Sequence, residues 1–197
     1  MKIVKNLKTY LIVLLVGILA GALALHFMTK PGEPKITSTT VLEQIQSSSE
    51  LITTKYFYSK VGKFEKPLDM NGWDVPLTKK SFILTYDGEA DLGVDLSKIE
   101  VKVKNKTIHI HLPEVKILNN TIDESSIEVY DETKNIFNPI SINDYKNFAI
   151  EQKEIIEKEI ETKNVYKKAE DNTISVIRNL LNKNETIHDD FTLKIEF

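Results

Sequence analysis

The chain has 197 residues, a net charge of −3 and no cysteine. The missing thiols exclude disulfides, thiolate zinc sites, a cysteine nucleophile and a lipid-modified cysteine anchor. Residues 1–30 carry four lysines and no acid, so the remainder carries −7. That balance argues against nucleic acid as a partner and against tight docking onto anionic lipid.

A short basic tail, 1–9, holds Lys2, Lys5 and Lys8. Residues 10–28 (YLIVLLVGILAGALALHFM) follow with no fixed charge. At ~1.5 Å per residue such a helix reaches about 28 Å, the thickness of a bilayer's hydrocarbon core. The sequence therefore predicts one transmembrane helix, its lysine-bearing end in the cytoplasm and the rest of the chain outside. Small-residue triplets at Ala20-Gly21-Ala22 and Ala22-Leu23-Ala24 resemble signal-peptide cleavage sites. The apolar run continues past them through Leu25, Phe27 and Met28, longer than a leader's core, which favours a retained anchor. Gly17 and Gly21 form a GxxxG pair with Ala20 and Ala24 beside it, a face small enough for two helices to meet as a homodimer.

Residues 29–38 read as a Pro/Gly-containing linker, and 39–197 as one extracytoplasmic domain. A short helix is expected to start at Thr40, where Thr40-x-x-Glu43 matches a capping box. The β-branched and aromatic run Leu51–Phe64 predicts a long strand, and residues 66–80, with Pro67, Asn71-Gly72 and Pro76, a loop carrying Trp73. Alternation predicts a strand through Phe82, Leu84 and Tyr86, then a hairpin pairing 99–104 with 108–112 across Lys104-Asn105-Lys106. Two further strands are expected near 115–122 and 127–130.

After Pro139 the period changes to 3.6. Ile142, Tyr145, Phe148, Ala149, Ile155, Ile156 and Ile160 share one stripe, with Ser141 or Asn143 as cap. A second amphipathic helix carries Val165, Ala169, Ile174, Ile177, Leu180 and Leu181, and 191–197 alternates as a closing strand. The expected class is α+β: a largely antiparallel sheet with two carboxy-terminal helices packed on it.

Several ordered motifs are distinctive: Tyr86-Asp87-Gly88-Glu89, Gly93-Val94-Asp95-Leu96-Ser97-Lys98-Ile99, Ile108-His109-Ile110-His111-Leu112-Pro113-Glu114 and Val129-Tyr130-Asp131-Glu132…Phe137-Asn138-Pro139…Asp144-Tyr145. Together, over about residues 40–197, the chain resembles the bacterial DUF4230 family, a domain of unknown function behind an amino-terminal hydrophobic segment. The resemblance implies an envelope setting and supplies no catalytic residue. It implies hydroxyl residues where His109 and His111 stand, so no family role attaches to them.

His109 and His111 lie two apart on a predicted strand and so share a face, about 7 Å apart. With a third ligand they would hold zinc or copper; without one they are the polar side of an amphipathic strand. Asp87, Glu89 and Asp91 share a strand face, but the EF-hand spacing fails, so a solvated face is expected. No nucleophile elbow, phosphate loop, dinucleotide fingerprint or H-E-x-x-H occurs, and neither a catalytic nor a cofactor-binding residue is singled out. The expected function is a structural or interaction module of the cell envelope with an unknown envelope protein as partner. The alternative is a metal- or small-ligand-binding module using the His109/His111 face.

Overall fold

The structure, a computed structural model, describes residues 13–23 and 36–197. The chain divides into two compact units, Met1–Lys35 and Ile36–Phe197. In the first, residues 13–23 are helical; the remainder of the predicted 10–28 span, the 1–9 tail and most of the linker lie outside the described residues. No helix among the described residues is long and apolar enough to cross a membrane.

The second unit opens with α1, Ser38–Ile45. Its cap is Thr37 rather than the expected Thr40. Thr37 takes extended backbone, its hydroxyl accepts from the Thr40 amide at 3.2 Å, and its own amide donates to Thr40 Oγ1 at 2.9 Å. Thr40 is thus the third helical residue, in the place a glutamate usually fills.

Two long strands follow, β1 (Glu50–Met70) and β2 (Trp73–Asp95), as one antiparallel hairpin. The expected loop over 66–80 is instead the far end of this hairpin. Asn71 (φ 57°) and Gly72 (φ 83°) supply the left-handed pair that a two-residue turn requires. The prolines that suggested a loop sit at an irregularity, where register jumps from Lys66↔Lys80 to Leu68↔Val75. There the missing amide hydrogens cost no ladder bond. The Thr78 hydroxyl closes the gap, accepting from the Leu68 amide at 3.1 Å and donating to the Val75 carbonyl at 2.7 Å.

A 3₁₀ turn, Leu96–Lys98, leads into β3 (Glu100–Lys104) and β4 (Thr107–His111), the expected hairpin, with Asn105 and Lys106 both left-handed at its turn. The two strands expected over 115–130 form one, β5 (Lys116–Glu132), which pairs with β2. Its register slips from Asp123↔Asp87 to Glu128↔Thr85, leaving a bulge over 124–127. Asp123 builds it: Oδ1 accepts from the Ser125 amide and hydroxyl, and its carbonyl accepts from the Ser126 hydroxyl.

Helices α2 (Ile142–Thr162), α3 (Val165–Leu181) and the short, unanticipated α4 (Glu185–Asp190) lead to β6 (Thr192–Glu196). The α+β class and the antiparallel sheet with carboxy-terminal helices are as expected. The strands, however, form two three-stranded sheets, ordered β1-β2-β5 and β3-β4-β6. In the second, β6 runs parallel to β4, which the intervening helical crossover makes possible.

The core lies between the large sheet and α2/α3. Phe82 stacks between Phe64 and Tyr145 at centroid distances of 4.8 and 4.7 Å, with Phe148 edge-on at 5.2 Å. Gly62 is what admits the Phe148 ring, since a Cβ there would collide with it. Ile142, expected on the buried stripe of α2, is 87% exposed at the first position of the helix.

Candidate functional site

His109 and His111 are exposed on the outer face of the small sheet, as an amphipathic strand requires, with Ile108 and Ile110 buried beneath. Register gives each a distinct neighbourhood. His111 stands between Glu100 and Glu196, and His109 between Lys102 and Lys194. Directly opposed residues lie about 5 Å apart at Cα. Glutamates therefore favour a cation at His111, while lysines oppose one at His109. Among the described residues no three His, Asp or Glu side chains converge on a point able to hold a metal ion.

The carboxylate face of β2 also differs from expectation. Asp87 is exposed, but Asp91 is 5% exposed. Lys55, its cross-strand partner, reaches Asp91 Oδ1 at 3.1 Å and Glu89 Oε1 at 3.2 Å. The first contact is an ion pair off the axis of a hydrogen bond, so Asp91 Oδ1 is buried without a hydrogen-bond partner.

Sequence patterning missed a polar seam between the large sheet and α2. Lys80 is 8% exposed and donates to Asp144 Oδ2 at 2.7 Å and to the Pro139 carbonyl at 3.3 Å. The same Asp144 oxygen accepts from the Ser141 amide and hydroxyl, completing the α2 cap. Burial pushes the Asp144 carboxyl upward, yet Lys80 and Ser141 together outweigh it and hold it below the usual carboxylate value. Two turns on, the buried Tyr86 hydroxyl donates to Gln152 Oε1 at 2.9 Å, and burial, with Tyr58 and Glu159 nearby, lifts its pKa to about 12. Glu159 accepts from Lys163, from Lys60 at 2.6 Å and from the Tyr56 hydroxyl at 2.8 Å, and those three bring it down to about 2. Every charge in this seam is matched, so it braces α2 rather than presenting a poised acid or base.

The far end of the hairpin has the opposite character. Leu77 is 98% exposed with φ 63°, an apolar residue in a backbone conformation that disfavours it. Asn135 ties the 135–138 segment to this strand by donating to the Leu77 carbonyl at 3.1 Å, and Asn138 does so by donating to the Thr78 carbonyl at 2.9 Å. That docking sets Ile136 (90% exposed) and Phe137 (80%) in the neighbourhood of Leu77. Trp73, expected in a loop, is the first residue of β2, paired with Met70, and both project into solvent. Isolated exposed apolar residues are ordinary; five along the end of this hairpin and the segment tied to it are an unusual concentration.

Gly17 and Gly21 lie on the helical stretch 13–23, where a Cβ at either would meet nothing within 4 Å.

No curated protein and no solved structure matches the chain. A family model does, over residues 43–188, from α1 into α4 and so across the hairpin, the large sheet, β3, β4 and the braced helices, ending before β6. By that match the chain belongs to DUF4230, a family described as proteins of unknown function.

Proposed function

We propose that this chain is a single-pass membrane protein, amino terminus inside, whose domain serves as an interaction module of the cell envelope rather than as an enzyme. The tip of the long hairpin would dock another envelope protein or a second copy. The apolar 10–28 segment and the lysine bias before it support the anchor. The observation that carries the docking reading is the exposed set Leu77, Ile136, Phe137, Trp73 and Met70. At ~3.3 Å per residue, β1 puts about 65 Å of strand between Glu50 and this tip, enough to hold it well away from α1. In living cells, a photo-crosslinking residue at Leu77 or Phe137 should yield one reproducible adduct, lost on changing Trp73 and Met70 to serine. Adducts no stronger than those from an exposed control such as Lys158 would reject the tip as a docking surface. Self-association through Gly17 and Gly21 would be removed by Gly17→Leu with Gly21→Leu; unchanged dimer in a membrane reporter assay would reject it.

A second reading takes the Glu100–His111–Glu196 row as a metal-binding face centred on His111, whose three side chains turn to converge only when an ion binds. Zinc or copper uptake by the full chain should then fall with His111→Ala and survive His109→Ala. No stoichiometric uptake, or equal loss from both variants, would dismiss it.

A further inference from the structure

A cleft of about 370 Å³ separates the first half of α2 from β5. That is within the range of small-molecule sites, roughly 300–1,000 Å³. The bulge over 124–127 disrupts β5 at this place. Leu84, Tyr86 and Phe148 form the floor, all under 5% exposed. Ile127 stands on the β5 side and Tyr145 and Ala149 on the helix side, partly open to solvent.

The floor carries no free polar group. The Tyr86 hydroxyl is spent on Gln152, and the Thr121 hydroxyl beside it donates to Asn119 Oδ1. A ligand seated there is therefore apolar along its buried length. The helix rim differs. Lys146 and Lys153, seven residues apart on α2, flank Ala149, and neither is in an ion pair among the described residues. Glu124 occupies the opposite, β5 rim, so an anionic head belongs on the helix side. An extended peptide would need an uninterrupted strand edge, and the bulge breaks β5 beside the cleft.

We infer that the cleft between α2 and β5 binds a single-acyl-chain amphiphile, its chain over Leu84, Tyr86 and Phe148 and its anionic head, carboxylate or phosphate, at Lys146 and Lys153. This goes beyond the docking role of the tip and stands or falls separately from it. The domain's net negative charge weighs against anionic membranes at large, so binding here relies on the local lysine pair.

The test uses the full chain in phosphatidylcholine vesicles with three diazirine-bearing probes: a fatty acid, a lysophosphatidic acid and an uncharged monoacylglycerol. Irradiation followed by peptide mapping should place the anionic adducts on 121–127 and 142–149. Lys146→Glu with Lys153→Glu should cut anionic labelling about fivefold, the size of two surface ion contacts, and leave the uncharged probe nearly unchanged. Ala149→Trp should block all three. Preference between the two anionic probes identifies the head group, and either preference supports the site. Labelling scattered along the chain, or an uncharged probe labelling as strongly as the anionic ones, overturns it. So does labelling indifferent to the charge reversal in a variant whose fold, read by circular dichroism, is intact; Lys146 is exposed and Lys153 half-buried.

Discussion

The two ends of the β1–β2 hairpin are made of the same kind of strand and do opposite things. Near Asp95 every residue from Ala90 to Val94 is buried, and the ladder is closed by Leu51–Tyr56 of β1 on one side and, for Ala90 to Gly93, by Lys116–Asn120 of β5 on the other. At the other end Leu77 is almost wholly in solvent. Stability is concentrated where polar groups are matched and aromatic rings interlock, and the tip is carried as a passenger. A passenger that keeps apolar side chains in water draws attention as a contact surface, because nothing in its own fold requires them.

Substitutions in the brace, which begins at Lys80 only three residues from Leu77, should be costly. Asp144→Ala removes the only carboxylate paired, among the described residues, with the buried Lys80 Nζ and strips the α2 cap, so about 3–5 kcal/mol of unfolding free energy should be lost in a urea melt. A loss under 1 kcal/mol would mean that Lys80 escapes to water and the brace is not structural. Gly62→Val drives a side chain into the Phe148 ring, and about 3 kcal/mol is expected from overpacking.

Acid should act on the brace before it acts on the tip. Glu159 lies at about 2 in the folded protein against 4.5 unfolded. A depressed carboxyl stabilises fully above the unfolded value and loses that contribution as pH falls through the folded one. The thermal midpoint should therefore drop steadily as pH falls from about 4.5 toward 2, and Glu159→Gln should flatten part of that slope. An identical slope in wild type and variant would remove Glu159 from the account.

The smallest effect should have the opposite sign. Leu77→Gly relieves a positive φ and removes a side chain that touches little, so stability should rise by up to about 1 kcal/mol. The same change should weaken crosslinking through the tip. Destabilisation instead would show that Leu77 packs in its own fold, and the contrast between the two ends would blur.

Much of the fold was legible beforehand because side-chain periodicity records burial directly. Val101/Val103 against Lys102/Lys104, and Phe148, Ile156 and Ile160 on α2, face the way their spacing demands. Pro67 and Pro76 misled because proline signals a lost donor without saying whether a ladder bond was needed there. The candidate sites were less readable. The histidines, Trp73 and the Gly17/Gly21 pair drew notice as residue types. The lysine–aspartate brace, the tip and the cleft each depend on residues 30 to 70 positions apart meeting.

Residue order alone determined where strands give way to helices, which faces are apolar, the short β3–β4 turn and the family to which the chain belongs, since all are local patterns. Tertiary structure decided the division into two sheets, the parallel pairing of β6 with β4, the burial of Lys80 and the exposure of Ile142. Those depend on which surfaces remain once distant segments have packed, and an exposed residue at the start of a helix stripe looks, in sequence, like any other.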